Sequence, residues 1–141
     1  MSVTAINAAE SIEGYIRNIS TIDNVSEESI QSGFKSGIWS SERNAYAIVF
    51  KKPNGSLCLV LLKQGDGYKV IDVSSVETGN FGKLGYNRAY YDNYETVPTK
   101  WYKSKNDNYQ IEFTSHAWKN GNRFTIREPL IIKNNGTPIY R

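Results

Sequence analysis

The stretch from Ala45 to Val73 constrains the fold more than any other part of the chain. Three apolar runs, Ala45 to Phe50, Leu57 to Leu62 and Tyr68 to Val73, are separated by Pro53-Asn54-Gly55 and by Gly65-Asp66-Gly67. Asn-Gly and Asp-Gly supply the positive φ angles of tight hairpin turns, so the reading is a three-strand antiparallel meander. With Asn54-Gly55 as the loop, Phe50 is expected opposite Leu59, Ile48 opposite Leu61, Val49 opposite Val60 and Ala47 opposite Leu62. One face then carries Ile48, Phe50, Leu59 and Leu61, the other Ala47, Val49, Val60 and Leu62. Both are apolar, whereas a strand with one wet face alternates. The strands are therefore central, and each side must be covered.

The N-terminal third offers one cover. Asn7 and Glu10 form a capping-box pattern ahead of Ile12, Tyr15, Ile16 and Ile19, whose spacing predicts an amphipathic helix of about three turns. A shorter helix is expected from Asn24 or Ser26, with Ile30 and Phe34 one turn apart and Gly33 near its end. Ser36 to Arg43 holds Trp39 and reads as an extension of the first strand.

The C-terminal third returns to strands. Tyr109 to Trp118 and Arg123 to Ile132 flank Lys119-Asn120-Gly121-Asn122, whose Asn-Gly centre predicts a two-residue turn. Trp118 then faces Arg123, Ala117 faces Phe124, His116 faces Thr125 and Thr114 faces Arg127. Ile111, Phe113, Ala117, Phe124 and Ile126 are expected on the core side; Glu112, Thr114, His116, Trp118, Arg123, Thr125 and Arg127 are expected on the other. Leu130 to Ile132, after Pro129, is a further apolar run. Residues 74–108 are the least regular, with Gly79, Gly82, Gly85 and Pro98.

These elements predict a single α+β domain over residues 1–141, with a helical cover at 1–35 and a mainly antiparallel sheet of six or seven strands at 36–141. Either the irregular segment 74–108 or a second layer made by strong curvature of the sheet covers the other face. A chain of this length buries about 68–70% of its unfolded surface and needs no metal or disulfide staple.

Several chemistries are excluded or left without a motif. Cys58 sits in an apolar strand and reads as a packing residue. One histidine and one cysteine cannot build a zinc set. There is no Asp-x-Asp-x-Asp calcium loop, and Gly79 to Gly85 lacks the Gly-Lys-Ser/Thr ending of a phosphate loop. No cofactor is expected. The first residues lack a basic and then apolar leader, and no apolar run approaches a membrane span, so a cytoplasmic protein without membrane contact is expected. The net charge of +3 divides along the chain: residues 1–31 carry five acids against Arg17, the remainder 16 bases against nine acids.

Two regions are candidates for recognition. Tyr86, Tyr90, Tyr91, Tyr94, Trp101, Tyr102 and Tyr109 are interleaved with Arg88, Lys100, Lys103 and Lys105, a composition suited to protein contact or, as a narrower alternative, to bases stacking beside cations. The polar face of the last hairpin supplies Trp118, Arg123 and Arg127, residue types enriched at interface hot spots. The partner-binding set read from the sequence is Arg88, Tyr90, Tyr91, Tyr94, Trp101, Trp118, Arg123 and Arg127. The catalytic alternative takes Glu112, His116 and Arg127 as acid, base and cation of a metal-independent ribonuclease. Its layout resembles that of small microbial ribonucleases, whose motifs are not matched. Glu112 and His116 are about 13 Å apart along a strand.

In size, Asn/Tyr/Lys-rich composition and its order of helices before sheet, the chain resembles bacterial immunity proteins of the contact-dependent inhibition type. That resemblance covers the chain in outline and carries over no residue. It implies a non-catalytic domain whose partner is a cognate protein toxin, with occlusion of the toxin's active site as the mechanism.

Overall fold

A computed structural model of the chain describes residues 12–19, 22–103 and 106–139. Among the described residues there are three helices, and eight strands arranged as two four-stranded antiparallel sheets. Helix α1 is described over residues 12–16 and α2 over Glu27–Ser36. The first sheet follows as β1 (Ile38–Ser40), β2 (Ala45–Lys52), β3 (Gly55–Gln64) and β4 (Gly67–Asp72), in that order. Helix α3 (Ser75–Leu84) and a 3-10 turn (Arg88–Tyr90) lead to the second sheet, β5 (Asn93–Tyr102), β6 (Tyr109–Lys119), β7 (Asn122–Ile132) and β8 (Pro138–Ile139). No helix among the described residues is long and apolar enough to cross a membrane.

The central strands have the two apolar faces expected of them. Ile48, Phe50, Leu59 and Leu61 are fully buried against Ile12 and Ile16 of α1 and Ile30 of α2. Each such side chain contributes roughly 1.5–3 kcal/mol of burial energy. Ser26 caps α2, its hydroxyl accepting from Ser29 N at 3.2 Å. Gly33 lies in the last turn of α2, near its end as expected, and a Cβ there would come within 2.5 Å of the Phe50 ring. The glycine is thus what lets helix and sheet approach. The Asn7/Glu10 capping box lies outside the described residues.

The opposite face, Ala47, Val49, Cys58, Val60 and Leu62, packs on Ile111, Phe113, Leu130 and Ile132 of the second sheet. Of the two covers the sequence allowed, the second layer is the one formed, although as a separate sheet and not by one sheet closing on itself. Burial pushes the Cys58 thiol well above its ordinary pKa, helped by the charges of Glu77 and Asp72. Such a thiol is a packing group, as its position in β3 suggested.

Three expectations need correction. The described residues form eight strands, not six or seven, because residues 38–40 form a separate edge strand and residues 93–102 form another. The helices are not confined to the N-terminal third, since α3 lies between the sheets' segments of chain. The β2–β3 register is Ile48↔Leu59 and Phe50↔Leu57, two residues from that expected, because Pro53-Asn54 forms the loop and Gly55 pairs with Lys52. A two-residue shift preserves which side chains share a face. The β6–β7 register matches the expected pairs, around Asn120 and Gly121 with φ of 53° and 81°.

Two polar devices tie the layers. Trp101 of β5 donates its indole N–H to Ile38 O of β1 at 3.0 Å, joining the edges of the two sheets. Asn80 of α3 donates to Ser115 Oγ at 2.8 Å, and Ser115 shares a hydrogen bond of 2.8 Å with Thr96. All three of these residues are buried, so the chain of hydroxyl and amide fixes α3 across β5 and β6.

Candidate functional site

The chain leaves α3 through Gly85, whose φ of 96° only glycine adopts without strain. The 3-10 turn that follows gathers the tyrosines. Tyr86 and Tyr90 stack with ring centroids 3.9 Å apart and planes at 12°. Tyr91 stands edge-on to Tyr90 at 5.1 Å, and is buried against Phe81 and Ala117. Its burial, with the neighbouring Tyr90 and Tyr86, raises the Tyr91 hydroxyl pKa. Phe124 of β7 lies 6.2 Å from Tyr91, and the Lys119 ammonium lies 4.7 Å from the Tyr90 ring.

Tyr86, Tyr90 and Phe124 are 53%, 40% and 43% exposed, and are three of the four exposed large hydrophobic residues among those described. Linked through Tyr91, they form one aromatic ledge. Phe124 was expected on the core side. Its exposure follows from the short β8, which pairs only with Ile131 and Ile132 and leaves β7 without a neighbour near Phe124.

Arg88, at the head of the same turn, reaches back to the β2–β3 loop. Its Nη2 donates to Asn54 O, and its Nη1 lies 3.1 Å from Oε1 of Glu77 in α3. Glu77 is 1% exposed; the pair is at ion-pair distance without hydrogen-bond alignment. Gly55 makes this packing possible, since a Cβ there would lie 3.0 Å from Arg88 Cζ. Two open clefts meet along Pro53, Asn54 and Arg88. The larger, about 760 Å³, has Phe81, Tyr86 and Tyr94 in its walls. The smaller, about 540 Å³, has Lys52, Asn24 and Ser56.

The outer face of the second sheet is a separate surface. Glu95, Lys100, Arg123, Thr125 and Arg127 on it are exposed. Glu112 accepts hydrogen bonds from Tyr102 at 2.7 Å and Thr99 at 2.8 Å. Partial burial works to raise its carboxyl pKa, but these two donors with the charges of Arg127 and Lys100 outweigh it and hold the pKa below the ordinary value. His116 Nδ1 is 2.8 Å from Thr125 Oγ1, and the Trp118 ring is 6.0 Å from the imidazole. Glu95 is the cross-strand partner of His116, whereas Thr114 intervenes between His116 and Glu112.

The eight residues read as partner-binding thus fall into three places. Arg88, Tyr90, Tyr91 and Tyr94 surround the ledge and the larger cleft. Trp101 is in the seam between the sheets, its indole used internally. Trp118, Arg123 and Arg127 lie on the outer sheet face. Phe124 of the ledge, Lys52 of the smaller cleft and Glu77, which holds Arg88 from beneath, were not in that set. A glutamate in a glycine-containing helix reads as surface, and only the tertiary packing reveals that it is buried. No protein-family model, curated protein or solved structure matches the chain.

Proposed function

We propose that this is a non-catalytic protein-binding domain, an immunity protein that neutralises a cognate bacterial toxin by covering its active site. The observation that carries the reading is the ledge of Tyr86, Tyr90 and Phe124, three large rings left exposed together. Contiguous exposed aromatic surface is a mark of protein interaction sites, and tyrosine offers wide contact at small entropic cost. Lys119 beside Tyr90 supplies a polar group at its rim.

The test is protection. Cells expressing the domain should survive the toxin polypeptide encoded beside its gene, and the purified pair should form a complex. Tyr86→Ala with Phe124→Ser, both at exposed positions, should keep the melting temperature and lose protection. A wild-type domain that neither binds nor protects overturns the reading.

A ribonuclease is the second reading, and one pairing favours it: Glu95 stands directly opposite His116 across the β5–β6 ladder, whereas Glu112 is four residues along the same strand. RNA cleavage without added metal, abolished by His116→Ala in a folded protein, would establish it. Nucleic-acid binding without cleavage would instead show a steep fall with salt.

A further inference from the structure

We infer that the two clefts flanking Arg88 form one trough that receives an acidic peptide segment of the partner, an apolar side chain in the larger cleft and a carboxylate in the smaller. This rests on the protein-binding reading and names the chemistry the partner must bring.

The larger cleft is apolar where it is deep. Phe81, 1% exposed, lies among its lining residues with the rings of Tyr86 and Tyr94. A volume near 760 Å³ holds a large aliphatic or aromatic side chain with room for its backbone. Gly82 and Gly85, at the C-terminal end of α3, also line it. The carbonyl end of a helix carries partial negative charge, so this end of the trough suits peptide N–H groups and disfavours phosphate.

The smaller cleft has the opposite polarity. Lys52 lines it and has no acidic partner among the described residues; Asn24 and Asn54 add amide donors, and Ser56 adds a hydroxyl. Arg88 stands where the clefts join. Its guanidinium is held by Glu77 and by Asn54 O, which fixes its direction and partly neutralises it. Lys52, unpaired among the described residues, and Arg88, paired with the buried Glu77, leave the trough with net positive charge, and charge complementarity selects an acidic occupant.

The chosen probes are blocked peptides titrated into the full-length labelled domain, with amide shifts as the readout. The first is acetyl-Gly-Phe-Gly-Asp-Glu-amide; one control carries two lysines in place of its acids, another alanine in place of phenylalanine, and tetrauridylate represents nucleic acid. The acidic peptide should shift Asn54, Thr78 and Arg88 saturably, and both control peptides should bind at least about tenfold more weakly, which is about 1.4 kcal/mol. Lys52→Glu should reverse the charge preference. Thr78→Trp, at an exposed position of α3, should fill the larger cleft and abolish the shifts while the fold is retained.

Equal binding of acidic and basic peptides, no saturable shift with any peptide, or tighter binding of tetrauridylate each overturns the inference. The whole toxin polypeptide separates this from the broader reading. A complex unaffected by Lys52→Glu and Thr78→Trp but broken by Tyr86→Ala with Phe124→Ser rejects the trough and keeps the ledge. Absence of any complex with the wild-type domain rejects the protein-binding reading itself.

Discussion

Nη1 of Arg88 lies 3.1 Å from Oε1 of Glu77, a carboxylate that is 1% exposed and whose only ion pair among the described residues is this one. A charge so placed is tolerable because its partner is fixed as well, by Asn54 O. The contact binds α3, the β2–β3 loop and the turn that carries the tyrosines. Arg88→Ala leaves the carboxylate buried and unpaired, and should cost about 3 kcal/mol, the low end of the range for breaking such a pair because Arg88 is itself partly exposed. Glu77→Gln with Arg88→Ala should recover more than half of that loss. Urea melts of the two variants check it; equal losses would mean that the pair is not the cause.

The seam between the sheets rests on one indole. Trp101→Phe keeps the packing against the core but leaves Ile38 O without its donor. The expected loss is about 1 kcal/mol, a fall of roughly 2–4 °C in melting temperature. Trp101→Ala removes the ring as well and should cost about 3–5 kcal/mol. A Trp101→Phe variant as stable as wild type would show that the hydrogen bond contributes nothing net.

Ser115 is the middle link between Asn80 and Thr96, and none of the three is exposed beyond 3%. Ser115→Ala takes a partner from both neighbours at once. The expected cost is about 1–3 kcal/mol, larger than the removal of one oxygen suggests, because buried polar groups are left unmet. Combining it with Asn80→Leu should cost less than the sum of the two single changes, read from a double-mutant cycle.

Why the central sheet was legible and the ledge was not comes down to what a side chain's neighbours in sequence reveal. Ile48, Phe50, Leu59 and Leu61 share a face by parity alone, so a register error of two residues at Pro53 did no harm to that inference. Asn120-Gly121 fixed the last hairpin to the residue, because its turn needs two positive φ angles. Helix α3 gave no comparable signal. Its buried positions are Val76, Glu77, Asn80 and Phe81, half of them polar, and Gly79 and Gly82 lower its helix propensity. Strand β5 is masked by Pro98, tolerated because β5 is an edge strand with a bulge between Pro98 and Lys100. The ledge depends on α3 and β5 being in place, so its residues were named by composition without being grouped correctly.

The outer sheet face should respond to charge reversal independently of the ledge. Arg123 and Arg127 are exposed, and neither forms an ion pair among the described residues, although the charge of Arg127 is felt by Glu112. Arg123→Glu with Arg127→Glu should leave stability within about 0.5 kcal/mol. If the toxin is acidic on its facing surface, the association rate should fall and lose much of its salt dependence, while dissociation changes little. Stopped-flow binding at two salt concentrations separates the two; an unchanged association rate removes this face from the interface.

Glu112 makes the stability of that same face depend on pH. Its folded pKa is held below the ordinary 4.5, so the folded state binds its proton less readily than the unfolded chain. The contribution is therefore complete above the ordinary value and is lost as pH falls through the folded one. Most of the carboxyl is near solvent, so the effect is a small part of the total. Glu112→Gln keeps the shape and removes the charge. Its urea midpoint should lie below that of wild type at pH 7, and the gap should close as pH is lowered from 5 to 3. A gap that stays constant over that range would mean that the hydrogen bonds from Tyr102 and Thr99 act through shape alone, with no preference for the ionised carboxylate.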